Sequence, residues 1–136
     1  MLTRVIPLLA LVLASPALAG DPAKGEETFK KCKSCHSIIA PDGTAVQKGG
    51  KTGPNLYGVV GRAAASAPDF KYGEGMLELN AKGVVWDEEQ IAAYLADPTA
   101  WVKATTGDAA AKSKMSFKLP NEEDAANMAA YLATNK

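Results

Sequence analysis

Both cysteines and the only histidine of this 136-residue chain fall in one short run, Cys32-Lys33-Ser34-Cys35-His36. C-x-x-C-H is the attachment pattern of a c-type haem. Its chemistry employs all three side chains: two thiols become thioethers on the haem vinyl groups, and the adjacent imidazole is carried beneath the ring as the proximal iron ligand. Other readings use these residues less fully. A structural zinc site takes about four ligands, and the chain has no further thiol or imidazole to add. A thioredoxin-like C-x-x-C needs a βαβ setting that a sequence of helical pattern lacks. A plain disulfide would leave the abutting histidine unexplained.

With no second histidine, the other axial position of such an iron falls to methionine, to lysine, or to no residue at all. Beyond Met1 the methionines are Met76, Met115 and Met128. Met128 sits on the apolar face of a predicted helix, where core packing accounts for it. Met76 follows Gly73-Glu74-Gly75, which reads either as a flexible ligand loop or as a helix start. Met115 lies in KSKMSFKL, a predicted loop, with Phe117 two residues on to cover a ring edge, and it is the favoured ligand if the iron is six-coordinate. An open site would instead make a haem enzyme or gas sensor, and a haem-free chain would leave a thiol–disulfide protein.

The elements that must position these residues are short helices. Asp21 is a plausible N-cap with Pro22 at the first helical position, and Glu26 and Glu27 follow near the positive end of the dipole. A second helix is signalled by WDEEQIAAYLADP, where Asp87 and Gln90 have capping-box spacing and Ile91, Tyr94 and Leu95 form an apolar stripe. Asp97-Pro98 restarts a helix through Trp101 and Val102. The last helix is capped by Asn121 and presents Ala125, Met128, Ala129 and Leu132 on one face. FKYGEGMLELNAKG has room for one more. No stretch reads as a convincing strand, and the Gly- and Pro-rich run from Ile38 to Phe70 reads as a long loop. A structureless loop of that length in a small domain needs an organiser, and a large apolar disc buried at its centre is one.

Residues 1–19 read as a cleaved signal peptide, with Arg4 in the n-region, an apolar run from Val5 to Leu13, and Ala17-Leu18-Ala19 as the cleavage motif. The run is shorter than the roughly 20 residues that span a bilayer. Residues 20–136 then form one domain. Fifteen basic and fifteen acidic residues balance, and loss of Arg4 leaves the acids ahead by one, which excludes a basic nucleic-acid binder.

Taken together, CKSCH, KTGPNLYGVVGR, FKYGEG, WDEEQIAAYLADP, KSKMSFK and a terminal AAYL helix resemble the class I cytochromes c, specifically the bacterial periplasmic cytochrome c2 type. The likeness runs from about Asp21 to Tyr131. It implies an all-α fold of three to five short helices, with long loops wrapped around one covalently bound haem c. It implies Cys32 and Cys35 as thioether positions, His36 as proximal ligand and Met115 as distal ligand. Pro54 would offer its carbonyl to the His36 ring N–H. Arg62, Tyr72, Trp86 and Ser113 match positions that hydrogen-bond or screen the haem propionates, Tyr94 a hydroxyl near the methionine sulfur, and Phe117 an aromatic at the exposed haem edge. Gly25, Phe29 and Tyr131 resemble the crossing contact of the first and last helices. The stretches Ser37 to Gly50 and ATTGDAAAKS look expanded relative to the shorter mitochondrial pattern.

An iron held on both faces transfers electrons and does not activate oxygen, so the expected role is a monomeric periplasmic one-electron carrier and not an enzyme. Lys30, Lys31, Lys33, Lys48, Lys51, Lys112, Lys114 and Lys118 fall near the C-x-x-C-H motif or the Met115 loop, and a basic ring of this kind would steer the haem edge toward acidic partners. The resemblance implies a cytochrome bc complex as electron donor and a terminal oxidase or photosynthetic reaction centre as acceptor.

Overall fold

The computed structural model describes residues 19–136, so the expected signal peptide, Ala19 apart, lies outside the described residues. The first helix, α1 (Pro22–Thr28), starts where Asp21 accepts from the backbone N–H groups of Ala23 and Lys24 at 2.9 and 3.4 Å. It tightens into a 3₁₀ turn over Phe29–Lys31. Glu26 and Glu27 lie beyond the first turn and gain little from the dipole. Glu27 instead pairs with Lys30 at 2.8 Å.

The segment offered as one more helix is α2 (Glu74–Ala81), which makes Met76 part of a helical first turn and not of a flexible loop. In α3 (Glu88–Ala96) the Asp87 carboxylate accepts from Gln90 N–H at 2.7 Å. The Gln90 side chain does not close the reciprocal bond of a capping box; it donates to the Val85 carbonyl at 2.7 Å. Asp97 ends α3 and caps α4 (Pro98–Thr106), and Gly107 stops α4 in the left-handed region at φ 73°. Asn121 caps α5 (Glu122–Ala133) through a 3.0 Å bond from Asp124 N–H.

Two short strands, β1 (Ile38–Ile39) and β2 (Ala45–Gln47), form an antiparallel ribbon inside the run read as loop. Ile38 pairs with Gln47 and Ile39 with Ala45, with an irregularity between them. Asp42-Gly43 makes the turn: Gly43 takes φ 88° and the Asp42 carboxylate accepts from Thr44 N–H at 2.9 Å. The ribbon is too short to change the all-α class. The rest of the long segment is ordered by scattered backbone bonds, including Leu56 N–H to Ser37 O, Gly61 N–H to Trp86 O and Ala64 N–H to Val84 O.

Helices of seven to twelve residues are marginal alone, so packing decides their stability. The tightest packing is where α1 crosses α5. A Cβ at Gly25 would collide with the Asn127 carbonyl, and beside it Phe29 meets Tyr131 edge-to-face with ring centroids 5.9 Å apart. Also against α5 lies α3, while α4 closes on α2 and α3. Phe29, Ile38, Leu79, Val102 and Met128 are fully buried in the resulting core, with Trp86 and Tyr131 nearly so. Among the described residues no helix is long and apolar enough to cross a membrane.

Candidate functional site

The 3₁₀ turn delivers the chain to Cys32, whose carbonyl accepts from both Cys35 N–H and His36 N–H at 3.1 and 2.9 Å. This single turn sets Cys32, Cys35 and His36 on the wall of one cleft. His36 Nδ1 lies 2.8 Å from the Pro54 carbonyl. A carbonyl only accepts, so Nδ1 carries the proton and Nε2 keeps its lone pair. Burial lowers the His36 pKa, with the Pro54 bond opposing, and the ring is held neutral as a ligand requires. Gly53 lies against the imidazole so closely that a Cβ there would collide with the ring.

The Cys32 thiol is pushed up to about 11, first by burial and then by Cys35. Among the described residues no group of three or more His, Cys, Asp or Glu side chains could hold a metal ion.

On the opposite stretch of chain, between α4 and α5, Met115 also borders the cleft. Its backbone N–H donates to Ser113 Oγ at 3.1 Å, and that hydroxyl is 2.7 Å from Tyr94 OH. Ser113 N–H in turn donates to Thr99 Oγ1 at 3.2 Å. Three hydroxyls, from α3, α4 and the loop itself, pin this segment. Ser113, expected at the propionates, and Tyr94, expected beside sulfur, are thus bonded to each other; burial raises the Tyr94 pKa and the Ser113 bond opposes it.

The cleft has a volume of about 420 Å³ and is lined mainly by apolar groups, among them Leu56, Val59, Ile91, Leu95 and Leu132. Met76 and Met128 border it as well as Met115, so position alone leaves three thioethers near one space. Arg62, Tyr72 and Trp86 stand on the same lining. The Arg62 guanidinium donates to the carbonyls of Asn55 and Tyr57, and burial draws its pKa down. Tyr72 OH accepts from Ala67 N–H at 3.1 Å, which leaves its own proton available to a group in the cleft. Phe117 is 40% exposed on the rim.

Of the eight lysines expected around the haem edge, all exposed, Lys30 is paired with Glu27, Lys118 reaches Asp97 at 3.1 Å, and Lys114 borders the cleft with Nζ 3.4 Å from the Lys71 carbonyl. Sequence reasoning missed Gly53, Thr99 and Trp101. Trp101 stacks on Trp86 with centroids 5.1 Å apart and meets Tyr94 edge-to-face at 5.8 Å. Gly53 precedes Pro54 and was legible as a close-approach glycine; Thr99 carried no signal.

No family model matches the chain. Cytochrome c2 of Rhodobacter capsulatus is 58% identical over 125 residues, covering 92% of this chain and 90% of that one. The chain belongs to the cytochrome c2 family of class I c-type cytochromes. Cytochrome c-550 of Paracoccus versutus is 55% identical over 130 residues, 93% of this chain and 83% of the relative. The solved structure of cytochrome c2 from Rhodobacter capsulatus superposes with a TM-score of 0.82 at 56% identity, covering 85% of this chain and 97% of that one. Members of this family are electron carriers and not enzymes, and each carries one covalently bound c-type haem. The cleft fits that group: paired thiols and a neutral imidazole on one turn of chain, apolar walls, and thioether sulfur across the chain from them.

Proposed function

We propose that the chain is a periplasmic one-electron carrier, exported behind residues 1–19, in which Cys32 and Cys35 hold haem c and His36 and Met115 ligate its iron. The observation that carries this reading is that these four side chains border one apolar cleft. Bound there, haem supplies a one-electron couple at its iron. His36 offers Nε2 because Pro54 holds the proton on Nδ1 and raises the ring's basicity. Met115 offers a soft, neutral sulfur that favours the reduced state, and the apolar lining disfavours added positive charge; both raise the potential. Arg62 and Tyr72, with Trp86, would face the propionates.

Phe117 and the exposed lysines Lys31, Lys33, Lys48, Lys51 and Lys112, with Lys30, Lys114 and Lys118, support docking on acidic membrane redox complexes. A cytochrome bc complex would be the donor and a terminal oxidase or photosynthetic reaction centre the acceptor. Redox-titrated visible spectroscopy of the mature protein tests the reading. Split low-spin bands with the weak far-red sulfur-to-iron band are expected, together with reduction by a bc complex that slows steeply as salt rises. Ready carbon monoxide binding at neutral pH would overturn it.

A further inference from the structure

Beside the main-chain bonds Gly53 N–H to Cys35 O and Leu56 N–H to Ser37 O, one residue gathers most of the side-chain bonds around the Pro54 carbonyl, and it belongs to no wall of the cleft. The Asn55 side chain pairs with the backbone of Ile39 in both directions, accepting from its N–H and donating to its carbonyl, each at 2.9 Å. The same side-chain oxygen accepts from Tyr57 N–H at 3.1 Å. The Asn55 carbonyl takes both arms of the Arg62 guanidinium at 3.2 Å. Asn55 therefore acts as a surrogate strand residue that docks the KTGPN loop onto β1, while Arg62 clamps its main chain from the other end.

The Pro54 carbonyl belongs to the peptide that joins Pro54 to Asn55, and planarity of that peptide ties the carbonyl's direction to the Asn55 backbone. Pro54 itself adds a fixed φ and no donor, so it cannot orient the peptide through bonds of its own. We propose that Asn55 is a positioning residue for the proximal histidine. Pinned to β1 through its side chain and to Arg62 through its own carbonyl, it fixes the far end of the 54–55 peptide, keeps the Pro54 carbonyl aimed at His36 Nδ1 and so sets the strength of that bond. The inference rests on His36 being an axial ligand. It assigns the β1–β2 ribbon a second purpose, that of anchoring the loop that carries the carbonyl.

The test uses mature, haem-loaded protein and follows solvent exchange of the His36 ring N–H by proton NMR, where an iron ligand gives a strongly shifted signal. Asn55→Ala is expected to exchange at least about fivefold faster than the unmodified protein, what the loss of one ordinary hydrogen bond converts to. The potential should shift upward as the imidazole loses basicity. Asn55→Asp keeps the two accepting bonds but sets a carboxylate oxygen against Ile39 O in place of the donor; it should also exchange faster than the unmodified protein, and it carries the comparison if the alanine variant loses haem. Gln47→Ala separates positioning from general loosening, because Gln47 ties β2 to Tyr131 OH at 2.9 Å and does not touch the 54–55 peptide. It should leave the ring N–H unchanged. Exchange in the Asn55 variants within twofold of the unmodified protein, or an equal acceleration in Gln47→Ala, overturns the assignment. If the unmodified protein binds haem but shows no iron-shifted ring N–H, the ligand reading fails first, and this inference with it.

Discussion

His36 and Met115 border the same cleft, but they are secured by different parts of the chain. Main chain holds the histidine: the turn amides bonded to Cys32 O, the Pro54 carbonyl at 2.8 Å, and a glycine face where no Cβ fits. Side-chain hydroxyls hold the methionine segment: Ser113 on Met115 N–H, Tyr94 on Ser113, and Thr99 on Ser113 N–H. A main-chain clamp survives the truncation of most side chains and is broken by adding atoms. A hydroxyl clamp is broken by deleting them. The histidine side is therefore expected to be the rigid one and the methionine side the one that yields.

The largest effect should come from the methionine itself. Met115→Ala is expected to lower the potential on the order of 0.2 V, within the roughly 0.8 V range that axial ligation spans, and to admit carbon monoxide at neutral pH. Because Met76 and Met128 also border the cleft, Met76→Leu and Met128→Leu belong in the same experiment, and both should keep the far-red band. A band that survives Met115→Ala and disappears with Met76→Leu would move the ligand role to α2.

Next in size is a test of the rigid side by addition. In Gly53→Ala the new methyl runs into the His36 ring, and overpacking against a ring already held by the Pro54 carbonyl should cost about 3 kcal/mol in urea unfolding and reduce haem retention. Pro54→Ala leaves the carbonyl in place and should cost far less. Equal losses from the two variants would mean that the proline ring, and not main-chain contact, secures the histidine.

On the yielding side, Ser113→Ala deletes the acceptor of Met115 N–H and the partner of Tyr94 OH together. A loss of about 1 to 2 kcal/mol is expected, with the far-red band fading at a lower pH than in the unmodified protein, while Ser113→Thr restores both. A band as robust as the unmodified protein's would show that the hydroxyls are bystanders.

The same division explains what could be read from the sequence. Motifs that act through main chain are compact and legible: C-x-x-C-H is one turn, Asp21-Pro22 and Asp97-Pro98 are local caps, and each forms as its residues dictate. The β1–β2 ribbon was missed because strands of two and three residues carry too little alternation to register, although Asp42-Gly43 between two apolar pairs was a turn signal. Glu26 and Glu27 follow the Asp21 cap too late in α1, because the dipole's influence ends within the first turn. Hydroxyl networks leave no periodic trace. Thr99 and Ser113 are ordinary polar residues until tertiary packing brings α4 against the Met115 loop, where Ser113 bonds to Tyr94, Met115 and Thr99 while bordering the cleft.

The smallest effect separates the two sides by pH. Burial raises the Tyr94 pKa above its ordinary value of 10, because an anionic phenolate in that cluster of aromatics would be poorly solvated. An acid whose pKa is higher in the folded than in the unfolded state stabilises the fold fully below the unfolded value. Above about pH 10 the unfolded chain gives up its phenolic proton first, and stability is lost as pH rises through the folded pKa. Tyr94→Phe should cost about 1 kcal/mol near pH 7, where it removes the bond to Ser113, yet it should unfold with a shallower pH dependence above 10 than the unmodified protein. The clamp on His36 has no alkaline counterpart, since the main-chain carbonyl of Pro54 has no proton to lose. If the two proteins decline in parallel above pH 10, Tyr94 is not the group that titrates, and the alkaline weakness of the methionine side has to be sought among Lys112, Lys114 and Lys118.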